Sequence, residues 1–147
     1  MDDTRERYRS TTLRILGNFQ LLEFCLKVYV GLSYKIISHS LNGKLHFGYS
    51  ASDVETFALE RLLSVFAKLN ADIALQKRLN KLREDRNHIA HESLLLAMGS
   101  NYDIGSVKEA EEKFFYLEDE LADCIALIIE ETKTLKGLST PLRREEA

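Results

Sequence analysis

Proline is nearly missing from this chain. Of 147 residues only Pro141 is one, so nothing before it interrupts a helix and long helices are expected. Cysteine is almost as scarce: Cys25 and Cys124 stand far apart without metal-like spacing, which excludes a disulfide framework and reads as two core thiols in a reducing compartment. Positive charge is not in excess either, with 20 Lys and Arg against 23 Asp and Glu and a formal net charge of -3. A protein that coats nucleic acid by bulk charge is thereby excluded, and any such contact must be local. Clean apolar runs are lacking too. The region from Phe19 to Ile37 is apolar but carries Glu23, Lys27 and Lys35, which argues against a membrane span. The first seven residues mix acids with bases and have no apolar run behind them, unlike a secretory signal. A cytoplasmic location with no membrane partner is expected.

What is present is the composition of an ordered soluble protein, 45% hydrophobic and 29% charged, long enough for one domain to bury a core without disulfides or metal. The spacing predicts an all-α, four- to five-helix up-and-down bundle over 1–147, with a long first helix and frayed tails at 1–8 and 139–147. Over about residues 4–40, Gln20, Glu23, Lys27 and Lys35 trace one narrow polar stripe on an otherwise apolar cylinder. Such a wide apolar arc needs several neighbours, within a bundle or across a dimer interface. Asn42-Gly43 and Gly48 break the pattern. That loop holds His39, His46, Phe47 and Tyr49, which either cover a bundle end or stack on bases. Ser52 with Glu55 forms a capping-box pattern that opens a helix over about 54–69, with Val54, Ala58, Leu62, Val65 and Leu69 on one face. Asn70-Ala71-Asp72 breaks that helix and supplies an N-cap for the next, over about 73–98. After a loop at 99–105, Ser106 with Glu109 forms a second capping box. The last helix shows an apolar series through Val107, Ala110, Phe114, Leu117, Leu121, Cys124, Ile128, Leu135 and Leu138, with Glu131 as its exception. Its outer face is acidic, and Lys113 is its lone base between residues 109 and 131.

The densest chemistry lies at Leu82-Arg83-Glu84-Asp85-Arg86-Asn87-His88-Ile89-Ala90-His91-Glu92. Leu75, Leu79, Leu82, Ile89 and Leu96 mark a core stripe, and Arg86 and Ser93 occupy the two positions missing from it. A guanidinium on that stripe requires a buried ion pair or a cleft. Arg83, Asn87 and His91 share a second face, whereas Arg86 and His91 lie roughly 140° apart on an ideal helix. The two can meet at one substrate through the long arm of Arg86, a local bend, or a second copy of the chain.

Arg86-Asn87-His88-Ile89-Ala90-His91, an arginine with a polar neighbour and four residues before a histidine, resembles the motif of the HEPN superfamily. The order of elements around it, over roughly residues 10–135, is similar as well. The resemblance implies a helical bundle, usually a homodimer whose two motifs face each other in a composite site. It also implies metal-independent ribonuclease activity leaving 2',3'-cyclic phosphate ends, often in toxin, phage-defence or abortive-infection systems held by a cognate antitoxin. By that resemblance Arg86 and His91 are catalytic, Asn87 is the polar neighbour, and no cofactor or metal is needed. The chemistry is sound in itself: histidine exchanges a proton near neutral pH and arginine holds phosphorane charge. His88 is an extra candidate. Lys77, Arg78, Lys81 and Arg83 supply local positive charge for an RNA substrate. Where related toxins carry a modifiable tyrosine two residues after the histidine, this chain has Ser93.

Three rivals stand beside that reading. His88 and His91, one turn apart with Glu84, Asp85 and Glu92 nearby, suggest half of a di-metal motif, but the first and last helices add no histidine facing it. A catalytically silent, dimeric binding module would use Arg86 and His91 to lock helices together, with Glu23 or a similar carboxylate as partner. A helical co-regulator of the mannitol-repressor type shares Leu82-Arg83-Glu84 and Asn87-His88 faintly.

Overall fold

The computed structural model describes the backbone of residues 2–98 and 104–146 and the side chains of residues 6–91 and 112–138. It is an all-α bundle of five helices, as the spacing predicts. They are α1 (Asp2–Ser40), α2 (Ala51–Val54), α3 (Leu59–Leu69), α4 (Ile73–Met98) and α5 (Ile104–Glu146). With no proline before residue 141, α1 runs unbroken for 39 residues.

The most extensive interface joins α1 to α5, which run in the same direction. Tyr8 stacks on Phe114 near the start of both, Arg14 pairs with Glu118, and Glu131 acts electrostatically on Tyr29 farther along. Ile15, Phe19, Leu22 and Leu26 of α1 and Leu121, Cys124 and Ile128 of α5 are almost wholly buried between them. Each large apolar side chain so buried contributes about 1.5–3 kcal/mol. In α5 the apolar series holds from Phe114 through Ile128, and Thr132 takes the buried place beside Glu131. Leu138, expected in that series, is exposed.

The polar stripe of α1 does not simply face water. Glu23 turns to α4, and Lys27 donates to the backbone carbonyl of Glu55 at 3.0 Å in the turn after α2. The apolar arc is wider than the core requires. Leu13, Leu21, Phe24 and Val28 remain exposed on its far side, Phe24 by 63%. Part of α1 is long and apolar enough to cross a membrane by length and composition, a test that a buried core helix also passes.

Between α1 and α3 the structure departs from the expected continuous helix. The segment expected as one helix is split into α2 and α3 by a turn at residues 55–58. Val54, Phe57, Leu59 and Leu62 are all buried, and a straight helix would set Val54 and Leu59 roughly 140° apart, so the chain must break to bury both. The buried face of α3 is accordingly Leu59, Leu62, Leu63 and Phe66, with Val65 and Leu69 only half-buried and Ala58 exposed. The capping contact also shifts by two residues. Asp53 accepts a hydrogen bond from the Ser50 backbone N–H at 2.8 Å, in place of the Ser52 and Glu55 pair.

The loop after α1 turns at Asn42 and Gly43, both with positive φ, conformations that suit asparagine and glycine. It then folds back so that Phe47 and Tyr49 pack against Tyr34 with ring centres 5.4 and 5.5 Å away. The aromatic loop is a cover over that end of the bundle.

Asn70 and Asp72 set the start of α4 as expected. Asp72 accepts from the Leu75 N–H at 3.0 Å, and buried Asn70 donates to the Tyr29 hydroxyl at 3.0 Å while accepting from the Asp72 N–H. The side chains of Ser106 and Glu109, and most of the expected loop at 99–105, lie outside the described residues. The α5 backbone stays helical past Gly137 and Pro141, where frayed chain was expected.

Candidate functional site

Helix α4 carries its chemistry on three sides because each side meets a different neighbour. Leu75, Leu79, Leu82 and Ile89 are buried, and Arg86 continues their stripe. Its guanidinium does not enter the core; it reaches α1, where Nη2 lies 3.5 Å from Oε1 of Glu23. Side-chain exposure is 38% for Arg86 and 22% for Glu23, so the pair sits at the edge of the packed interior, in reach of solvent. A guanidinium there offers N–H groups to an anion at lower desolvation cost than a buried one.

On the second side, Asn87 and His91 are exposed and Arg83 pairs with Glu60 of α3 at 3.3 Å. Within one chain Arg86 and His91 therefore point in different directions, as their spacing predicts. Glu92 and Ser93 have side chains outside the described residues.

The third side faces α5. Here Lys81, Asp85 and His88 line a cleft of about 260 Å³ with Lys113, Phe114 and Tyr116. His88 is thus grouped with Asp85 and two lysines rather than with Arg86. Burial pushes the Asp85 carboxyl above its ordinary range, against the opposing pull of Lys81, His88 and Lys113. Lys81 holds its ammonium 5.7 Å from the centre of the Tyr116 ring.

Of the four basic residues expected to meet RNA, two are occupied. Arg78 donates to Glu120 and lies 3.8 Å from Asp123; the bond to Arg78 holds the Glu120 carboxyl below its ordinary value. Arg83 is tied to Glu60. Lys77 and Lys81 are exposed, both beside the α4–α5 cleft. Nothing in the linear sequence marks Tyr116 as functional, since it follows Phe114 and Phe115 in an ordinary amphipathic helix. Lys113 does carry a signal, being the one base in an acidic stretch.

Cys124 is a core group, as expected, whereas Cys25 is only half-buried against the core. Burial raises Cys25, and burial together with a hydrogen bond to Glu120 pushes Cys124 up to about 12. Among the described residues, no three of His, Cys, Asp and Glu converge as ligands for a metal ion. No family model matches the chain, and no curated protein or solved structure matches it.

Proposed function

We propose that this chain is a metal-independent endoribonuclease of the HEPN kind, working as a pair of chains in the cytoplasm as a toxin or phage-defence effector restrained by an antitoxin partner. The observation that carries this reading is the exposure of Arg86: it holds a core-stripe position on α4 yet keeps its guanidinium at the surface, with Asn87 and His91 exposed on the same helix. The reaction needs one base and one cation. His91 takes the proton of a ribose 2'-hydroxyl, the freed oxygen attacks the adjacent phosphorus, and the bond to the 5'-oxygen breaks. The electron pair of that bond leaves on the 5'-oxygen, which takes a proton from water while His91 returns its own to solvent. The products are a 2',3'-cyclic phosphate and a 5'-hydroxyl. Arg86 holds the charge that develops on the phosphorane oxygens. Because the two side chains diverge within one chain, His91 acts with Arg86 of the second chain. The exposed stripe Leu13, Leu21, Phe24 and Val28 supports pairing, since Phe24 adjoins the Glu23 that holds Arg86.

The purified chain, incubated with RNA in a chelating buffer, is expected to release fragments with cyclic phosphate ends. Arg86→Ala and His91→Ala should each lower the rate by about 10²–10⁴-fold while leaving the melting temperature close to that of the parent. RNA left intact by the unmodified chain would sink the proposal.

The Glu23–Arg86 pair favours a second reading, in which Arg86 joins helices of a catalytically silent binding module. Arg86→Ala would then lower the melting temperature or split a dimer, and no RNA profile would change.

A further inference from the structure

The cleft between α4 and α5 has features that neither the fold nor the Arg86 and His91 pair requires. Tyr116 lines the cleft and leaves 58% of its surface exposed there. Lys113 is the one base between residues 109 and 131 of α5, and it lies where Lys81 of α4 also arrives. The cleft therefore sets two lysines, together with Asp85 and His88, against the acid-rich stretch of α5. A second hollow of about 310 Å³ adjoins it through Lys81, Asp85 and Tyr116, and adds Lys77 and the Arg78–Glu120 ion pair.

We infer that this cleft binds a nucleotide unit, with the base on Tyr116 and the phosphate on Lys81 and Lys113. A phosphate site alone would need the lysines but not the ring, and an apolar ligand would need the ring but not the lysines. The combination of an aromatic platform with flanking cations is what base stacking next to a phosphate demands. Phe114 and Ile89, both buried, give the cleft an apolar floor against which a flat base can rest. Asp85, the carboxylate lining the cleft, is partly desolvated and provides an acceptor for a ribose hydroxyl or an exocyclic amine. The lysines offset its charge, so it repels a phosphate less than an exposed carboxylate would. The volume is near the lower end of small-molecule pockets, which fits one nucleotide and not a folded RNA.

This inference does not rest on RNA cleavage, and AMP, which has no internucleotide bond, separates the two. The full chain is titrated by calorimetry with AMP, with inorganic phosphate and with a short 2'-O-methyl oligoribonucleotide. AMP or the oligonucleotide is expected to saturate, with inorganic phosphate weaker by about ten-fold or more. Saturation by AMP identifies a free nucleotide as ligand; saturation by the oligonucleotide alone identifies a nucleotide within a strand. Tyr116→Ala should weaken binding by about ten-fold or more and Tyr116→Phe should restore it. Lys81→Gln and Lys113→Gln should each weaken it and flatten its salt dependence. Absence of saturation by both nucleotide probes, equal affinity for inorganic phosphate, or indifference to Tyr116→Ala in a folded variant each overturns the inference.

Discussion

Arg86 on α4 and Glu23 on α1 face each other across 3.5 Å between Nη2 and Oε1, at a point where neither side chain is fully enclosed. The separation is longer than a good hydrogen bond and the pair is screened by water, so Glu23 steers the guanidinium more than it anchors the fold. In a double-mutant cycle with Glu23→Gln and Arg86→Gln, the coupling energy from urea melts should be about 1 kcal/mol or less. A coupling near 3 kcal/mol or above would make Arg86 a structural strut and favour the silent module.

Self-association is the next expectation. Leu13, Leu21, Phe24 and Val28 leave an apolar stripe on α1 facing away from the core. Light scattering coupled to size exclusion should give twice the mass of the 16.9 kDa chain, and Leu21→Asp with Phe24→Asp should return it to one. A parent chain that stays monomeric at high concentration would remove this support for a shared site.

Two carboxyls should respond to pH with opposite sign. Glu120, held below its ordinary value of 4.5 chiefly by the bond to Arg78, stabilises the fold above that value and loses this contribution as pH falls through its lower folded value. Glu120→Gln should therefore cost about 1 kcal/mol at neutral pH, discounted for the partial exposure of Arg78, and progressively less in acid. Asp85 behaves in reverse. Burial raises it above 3.8, so ionisation costs stability as pH climbs past that value, and the whole cost is present at neutral pH. Asp85→Asn should be neutral or stabilising there, with the difference vanishing in strong acid. Urea melts at neutral pH and at about pH 3 decide both, and a Glu120→Gln penalty that grows in acid would contradict the assignment.

Thiol reactivity offers a separate check on the core. With Cys124 buried and its thiol pushed up to about 12, almost no thiolate exists near pH 8. A disulfide reagent should leave Cys124 unlabelled in the folded protein and label both cysteines once urea is added. Rapid labelling of Cys124 in the native state would mean that the α1–α5 interface opens readily.

The helices themselves were legible in the order of residues. The single late proline, the break at Asn42-Gly43, the cap at Asp72 and the apolar series of α4 and α5 depend on local sterics and on a period of 3.6, which a sequence carries directly. The divergence of Arg86 and His91 was legible for the same reason, since helical spacing fixes direction. Two features were not. The break between α2 and α3 arises because Val54 and Leu59 must reach one core from opposed faces, a demand set by α1 and invisible in local propensity. The partners of the charged residues were also hidden. Arg78 and Arg83 read as free cations in sequence, but α5 and α3 bring Glu120 and Glu60 against them. Sequence by itself determined an all-helical chain with an Arg-x4-His segment on one long helix. Tertiary structure alone decided that Arg86 meets Glu23 and that His88 joins Lys81, Lys113 and Tyr116, because such meetings depend on how distant helices pack.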